Sequence, residues 1–349
     1  MVGNLSSRLT RRTLLESGAV VWVLVIALFV FAFVQSDDFR TGANLSNISR
    51  QIVILGLVAA AQFIVVIAGG VDLSLAANAR LSAIVTAIVV NGSDDRLLLG
   101  VVAGLSTGLV IGLVNGFIVT RLRVEPFIAT LGTGALLTGL ALFFASTPVG
   151  RSSPALNDFY GFSLGGVYAI VLVLVLIWIA VSVAMNRSTW GRHLYAAGGD
   201  PASAALAGIN VRRVTASAYV WAGLLGGAAG VVILASAGVG DAASVQGLEF
   251  DSLAVVVIGG ASLAGGRGRL IGVIGGVLLF SLIGNVFNLL KVDVWYQQLV
   301  RGLVILIAAA ALVDRYDKRK RVKRTQVKEE EDDKQDPLQR SVSHGNDVK

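Results

Sequence analysis

Eight stretches of this chain are apolar for long enough to cross a lipid bilayer, and that pattern limits the fold class before anything else is read. They are 18–35, 51–69, 98–120, 127–147, 166–185, 215–236, 270–290 and 294–313. A helix needs about 20 apolar residues to span the hydrocarbon core. Two weaker stretches lie among them: 73–90, which contains Asn78 and Arg80, and 250–264, which is short and glycine-rich. The expected fold is an all-α polytopic membrane helix bundle. It has about ten spans if both weak stretches cross, and eight if they are re-entrant or broken segments. The composition of 55% hydrophobic and 15% charged residues, with 41 glycines and five prolines, fits this class. Small residues let helix backbones approach closely in lipid.

Arginine placement favours ten spans. The basic groups near the spans are Arg8, Arg11 and Arg12, then Arg121 and Arg123, then Arg187, Arg192, Arg212 and Arg213, then Arg267 and Arg269, and finally the cluster from Arg315 to Arg324. With ten spans and a cytoplasmic N-terminus, all of these fall on the cytoplasmic side, as the positive-inside trend expects. The segments 37–50, 91–97, 148–165 and 237–249 then face outward. Dropping 73–90 alone would invert several loops. The first apolar run follows arginines, as a signal peptide would. No small-x-small cleavage site comes after it, so it reads as a retained span. Three units result: a cytoplasmic N-terminus over 1–17, a transmembrane domain over 18–313 and a charged tail over 314–349. The tail is too poor in apolar residues to pack a core and is expected to be disordered, with its basic start at the cytoplasmic lipid headgroups.

Composition also excludes chemistry. Cysteine is absent, and the two histidines, His193 and His344, lie in polar segments. Disulfides, thiolate catalysis and Cys- or His-rich metal sites drop out, and no cofactor is expected. The first lysine is Lys291 and no GxxxxGK[ST] motif occurs, so the chain has no P-loop of its own. The net charge of +7 sits mostly in loops and tail, where it reports orientation rather than affinity for nucleic acid. Acids are scarce inside the spans, which argues against a proton-relay pump.

The polar island from Asn186 to Val214 stands between two strong spans. A helix is expected over Pro201 to Ala207, with Asp200 as N-cap, Pro201 at the first helical position and Gly208 just past the end. A short capped helix on a basic loop suits a docking surface, although an ordinary connecting loop has the same outline. The candidate docking residues are Gly191, Arg192, Tyr195, Gly198, Asp200, Ala204, Ala205 and Gly208.

Two glycine-rich segments interrupt the apolar pattern. In GGVDLSLAANAR, residues 69–80, Gly69 and Gly70 can break a helix and the Asp72 carboxylate can accept from the free N–H groups that open the next one. Broken helices occur in membranes where they line a cavity or are buried in protein. The segment reads either as a gate or pathway element or as a capped turn at the cytoplasmic face. Arg80 is the sharper anomaly, because an intramembrane arginine faces a cavity or a partner by default. Asn78 or Asp72 could partner it from a neighbouring turn; otherwise it snorkels to the cytoplasmic surface. The second segment, IGGASLAGGRGRLIGVIGG over 258–276, includes Gly259, Gly260, Gly265 and Gly266, too many for a continuous straight helix. Polar residues inside spans complete the pathway candidates: Ser74, Asn115, Thr130, Thr133, Asn285 and Asn288. Such groups either hydrogen-bond a neutral solute or join helices. VVIAGGVDLS at 65–74 echoes VVVIGGASLA at 255–264, and Asn115-x-Phe117 echoes Asn285-x-Phe287, so an internal repeat is suggested.

Several segments in this order resemble the permease subunits of bacterial ABC importers of the ribose/xylose/galactose and branched-chain amino acid type. They are VVIAGGVDLSLAA, GLVNGFIVTRLRVEPFIATLGT (112–133), WGRHLYAAGGDPASAALAGINV (190–211), AVVVIGGASLAGGRGRLIGVIGG (254–276) and QQLVRGLVILIAA (297–309), so the resemblance covers nearly all of residues 50–312. It implies a multi-pass protein of the bacterial inner membrane, paired with a second permease as a homodimer or heterodimer. It also implies a separate cytoplasmic ATPase, an external solute-binding protein, and a loop over 187–214 that couples to the ATPase. The chain itself would then be no enzyme. The motifs look most like those of the pentose permeases, so a neutral monosaccharide is the expected solute, with a branched-chain amino acid or nucleoside as the alternative. Leu75-Ala76 stands where the family usually has Val-Gly, and Arg80 where it is usually apolar. A secondary transporter or channel, needing no ATPase, is the competing class.

Overall fold

Each strong apolar run within residues 19–293 becomes a helix, and a side-chain N-cap opens two of them, at Thr41 and at Asn210. The computed structural model describes residues 19–293, 295–300 and 302–303. The expected N-terminal unit, the tail and most of the run 294–313 lie outside the described residues. The helices are α1 (Ala19–Gln35), α2 (Gly42–Ile67), α3 (Leu75–Val90), α4 (Leu97–Thr120), α5 (Pro126–Phe144), α6 (Pro154–Gly161), α7 (Ala169–Arg187), α8 (Thr189–Gly199), α9 (Pro201–Leu206), α10 (Val211–Ala237), α11 (Leu248–Ile258) and α12 (Leu270–Leu289). A two-residue hairpin, β1 (Ser163–Leu164) with β2 (Val167–Tyr168), leads into α7, so the all-α expectation needs that small amendment.

Among the described residues six helices are long and apolar enough to cross a membrane: α2, α4, α5, α7, α10 and α12. Helix α1 has 17 residues and α3 has 16. At 1.5 Å per residue α3 is about 24 Å long, and the 11-residue α11 about 16 Å. The two weak stretches thus form short helices beside broken backbone. Helix α2 starts well before its apolar run, because Thr41 supplies an N-cap oxygen to the Asn44 N–H at 3.3 Å.

Contacts sort the connections to two ends. At one end the turn after α2 meets α8 and the loop before α12: the Gly266 N–H donates to the Ile67 carbonyl at 2.9 Å. At the other, Gly92 N–H donates to Arg151 O, and Val149 pairs with Gly240.

Glycine builds the centre. Helix α10 lies along α4, α3 and α2. On α4, Gly100, Gly104, Gly108, Gly112 and Gly116 recur every four residues, and all are buried. A Cβ on Gly108 would stand 2.3 Å from the Gly223 carbonyl oxygen, and one on Gly223 would stand 2.4 Å from that of Gly108. The two backbones touch directly, the small-xxx-small mode of association in lipid. Helix α3 is buried from Leu75 to Ile84 on every face. Its Ser74, Asn78, Ser82 and Thr86, spaced by four, form a polar seam: Asn78 Nδ2 donates to Gly223 O at 3.2 Å, Ser82 Oγ to Asn78 Oδ1 at 3.2 Å, and Thr86 Oγ1 to Ser82 O at 2.7 Å.

Candidate functional site

The two glycine segments fold into the same helix ending. After α2, Ala68 N–H bonds to Ile64 O, Gly69 to Val66 O and Gly70 to Val65 O. After α11, Gly259 N–H bonds to Val255 O, Gly260 to Val257 O and Ala261 to Val256 O. The 6→1 bond with a left-handed glycine beneath it is the Schellman ending. Gly69 has φ +87° and Gly260 φ +91°, a region that Gly enters at little cost. The structure therefore pairs Gly69 with Gly260, one residue away from the register that the sequence echo suggests.

Beyond the first ending, Asp72 is buried and its Oδ1 accepts from Ser74 N–H at 2.9 Å and Ser74 Oγ at 2.6 Å. Asp72 thus caps the start of α3 by way of its N-cap residue. Asn115 Nδ2 reaches across from α4 to Ser74 Oγ at 2.8 Å. Thr130 Oγ1 accepts from the Leu73 N–H at 3.1 Å. Gly70 leaves room for the Tyr219 hydroxyl, which a Cβ there would meet at 2.4 Å. Asp72, Ser74, Asn115 and Thr130 are brought together around one break. Thr133 is not among them; it donates to Ala129 O at 2.8 Å and lines an apolar groove of about 830 Å³ between α3, α4 and α5. Asn285 lies far off and exchanges two hydrogen bonds with Asn44, at 3.1 and 2.6 Å. Asn288 is exposed and accepts from Gln297.

Arg80 corrects the sequence expectation. Neither Asn78 nor Asp72 partners it. Asn78 is two residues away, so the two side chains leave opposite faces of α3, and Asp72 lies about two turns before it. Arg80 is 6% exposed, and its Nε donates to the Ser244 carbonyl at 3.0 Å. Ser244 belongs to the connection between α10 and α11, at the end away from α8, so snorkelling toward the α8 end is also excluded.

The polar island contains two helices where one was expected. Ser188 Oγ accepts from Gly191 N–H at 3.0 Å and opens α8. Asp200 caps α9 by accepting from Ala202 and Ser203 N–H at 3.1 and 3.2 Å, and Gly208 follows at φ +81°. Helix α9 stops at Leu206, one residue short of the expected end. Gly191, Gly198 and Ala204 face inward and are buried. A Cβ on Gly198 would lie 1.8 Å from Ile67 O, so α8 sits on the last carbonyls of α2. Tyr195 Oη donates to Gly268 O at 2.9 Å, tying α8 to the second glycine segment. Burial pushes the Tyr195 phenol above its usual range, against the pull of Arg269. Arg192, Ala205 and Gly208 face outward. So does Leu206, 91% exposed, which no sequence motif singles out.

Residues 44–309 match the family described as the permease component of branched-chain amino acid transport systems. The chain belongs to this permease family. Similar proteins include the ribose import permease protein RbsC of Escherichia coli strain K12, 35% identical over 310 residues that cover 87% of this chain and 95% of that protein. RbsC of Bacillus subtilis strain 168 is 36% identical, covering 83% and 91%. The fructose import permease protein FrcC of Rhizobium meliloti is 33% identical, covering 82% of each. No solved structure matches the chain.

Proposed function

We propose that the chain is the membrane-spanning permease subunit of an ATP-driven importer that carries a monosaccharide, of the pentose type, across the bacterial inner membrane. The observation that carries this reading is the place of α8 and α9. Helix α9 presents an exposed capped turn, while α8 packs its inner face on the glycine ending after α2 and on the loop from Gly265 to Gly268. A partner that moved α9 would therefore act through α8 on the backbone around Gly69 and around Gly265 to Gly268. The chain lacks a P-loop, so that partner is a separate cytoplasmic ATPase. A second permease, homologous or identical, and an external binding protein complete the assembly. The relatives named for ribose, fructose, allose and L-arabinose support a sugar. A branched-chain amino acid is the second reading, favoured by the description of the matched family.

In this reading the end that holds α8, α9 and the arginines is cytoplasmic. The reading has ten crossings with both termini inside, and the alternation of the described connections between two ends supports the crossings up to α12. Uptake of labelled ribose, fructose, allose, arabinose and leucine by cells with and without the gene tests the solute. Reporter fusions at Asp37, Asp95, Asn157 and Asp241 should score external, and at Arg123, Asp200 and Arg269 cytoplasmic. Uptake of no sugar, or a reversed score at Asp95, overturns the corresponding part.

A further inference from the structure

The groove of about 830 Å³ between α3, α4 and α5 opens sideways on the bundle, and Val110, Val114, Leu136 and Leu140 along it are exposed. Its α4 wall runs from Ala103 to Ile118, about 22 Å at 1.5 Å per residue. One leaflet contributes about 15 Å of the hydrocarbon core, so the groove is long enough for an acyl chain to lie in it through a whole leaflet. It offers a polar ligand little. The Thr107 and Thr133 hydroxyls donate to the Ala103 and Ala129 carbonyls of their own helices, at 2.9 and 2.8 Å. A Cβ on Gly132, in the α5 wall, would meet nothing within 4 Å, so no neighbouring helix closes on α5 there.

One end of the groove is charged. Val110, Val114 and Ile118 line it from α4, and Arg121 follows Ile118 by three residues with helical backbone, which puts Arg121 on the same face one turn further on. Arg123 lies two residues later in the short connection to α5. Both arginines are exposed, and neither guanidinium has a hydrogen-bond or ion-pair partner among the described residues. Glu125, the one acid in this connection, forms no ion pair with either. Thr130, in the first turns of α5, bonds to Leu73 in the break after α2, so this is the end that carries α8.

An apolar slot at membrane depth that ends at two unpaired guanidiniums matches a molecule with a long apolar body and an anionic head. A sugar would forfeit its hydrogen bonds along the apolar walls. A second copy of the chain, related by a two-fold along the membrane normal, would bring its own Arg121 and Arg123 to the same end and add like charge. We propose that this groove binds an anionic phospholipid of the surrounding bilayer. One acyl chain lies between α4 and α5, and the phosphate accepts from Arg121 and Arg123, as phosphates do from arginine forks.

The test titrates the full-length permease in mild detergent with phosphatidylglycerol or phosphatidylcholine and reads bound lipid by native mass spectrometry, beside a thermal melt. The wild type should bind phosphatidylglycerol more tightly. Arg121→Gln and Arg123→Gln should each weaken phosphatidylglycerol about fivefold, and the double variant roughly twentyfold or more, with phosphatidylcholine unchanged. Gly132→Leu places its side chain in open space, so the lipid-free melt should hold while binding of both lipids falls. Equal binding of the two lipids by the wild type, or phosphatidylglycerol binding unchanged in the double arginine variant, overturns the proposal. Phosphatidylglycerol binding unchanged in Gly132→Leu puts the lipid elsewhere, and if that variant also splits a dimer, the groove belongs to a second copy. Inorganic phosphate that raises the melt as far as phosphatidylglycerol does would assign the arginines to a free anion and overturn it too. If the double arginine variant does not fold, the single variants and Gly132→Leu decide the same question.

Discussion

Leu206 offers the most direct quantitative check on coupling. It is 91% exposed at the tip of α9, which is unusual for a leucine beside a polar loop and useless to the isolated chain. Burying a leucine side chain fully is worth about 1.5–3 kcal/mol. Truncation to alanine removes most of that, about 2 kcal/mol if the side chain fills a groove on the ATPase. Since about 1.4 kcal/mol is tenfold in affinity, Leu206→Ala should weaken the permease–ATPase complex roughly thirtyfold. Leu206→Glu would bury a charge and should abolish the complex. Because the side chain makes few inward contacts, thermal stability of the permease alone should shift by less than about 0.5 kcal/mol in either variant. Ala204 provides the contrast: it is 4% exposed, so a bulky residue there should act on folding instead. The assay is binding of the purified ATPase to the permease held in nanodiscs. Affinity within about twofold of wild type in both Leu206 variants would refute the docking role of α9.

Three further outcomes are expected. Gly198→Ala places a Cβ 1.8 Å from the Ile67 carbonyl oxygen and should lower permease stability by about 1–3 kcal/mol in detergent melts; unchanged melting would refute the close packing of α8 on α2. Asn285→Ala leaves the buried Asn44 amide without its reciprocal partner, so it should cost about 0.5–2 kcal/mol, and the Asn44→Ala/Asn285→Ala pair should cost less than the sum of the single changes. The Tyr195 phenol, raised by burial, keeps its proton and its bond to Gly268 O as pH rises through the usual phenol range, so coupling should show no phenol titration below about pH 10; loss of coupling near pH 9 that Tyr195→Phe abolishes would refute this.

What was legible in the sequence was local. The cap at Asp200, the proline after it and the glycine at 208 lie within about two helical turns of each other, and their chemistry does not depend on the rest of the chain. The break at Gly69 and Gly70 was readable for the same reason. Partners across the bundle were not. Arg80 meets a carbonyl 164 residues away, and nothing in its neighbourhood announces Ser244. The four-residue glycine repeat on α4 is visible in the sequence, yet its match to Gly223 and Gly227 on α10 depends on the packing of two distant helices. Leu206 had no signal because one leucine among alanines looks ordinary until its exposure is known. The echo between 65–74 and 255–264 had the right segments and the wrong register, since a run of valines and glycines aligns about equally well one residue either way.

The seam between α4 and α10 has a mechanical consequence. At Gly108 and Gly112 against Gly223 and Gly227 its surface is peptide against peptide. Drawing the two helices apart opens a slot with nothing to fill it, and the lost dispersion contacts resist that motion. Shifting α10 lengthwise, by contrast, moves the buried Tyr219 hydroxyl against Gly70 and pulls Gly223 O away from Asn78 Nδ2. The helix is a rod held stiffly against α4 and pinned along its length by those two contacts. That rod has 27 residues and is about 40 Å long. Its near tip follows α9, where Asn210 accepts from the Arg213 N–H, and its far tip runs into Gly238 and the turn of Asp241 and Ser244. A push at the arginine-rich end would reach the break at Gly70, through Tyr219, and the seam of α3, through Asn78, before it reached the opposite end.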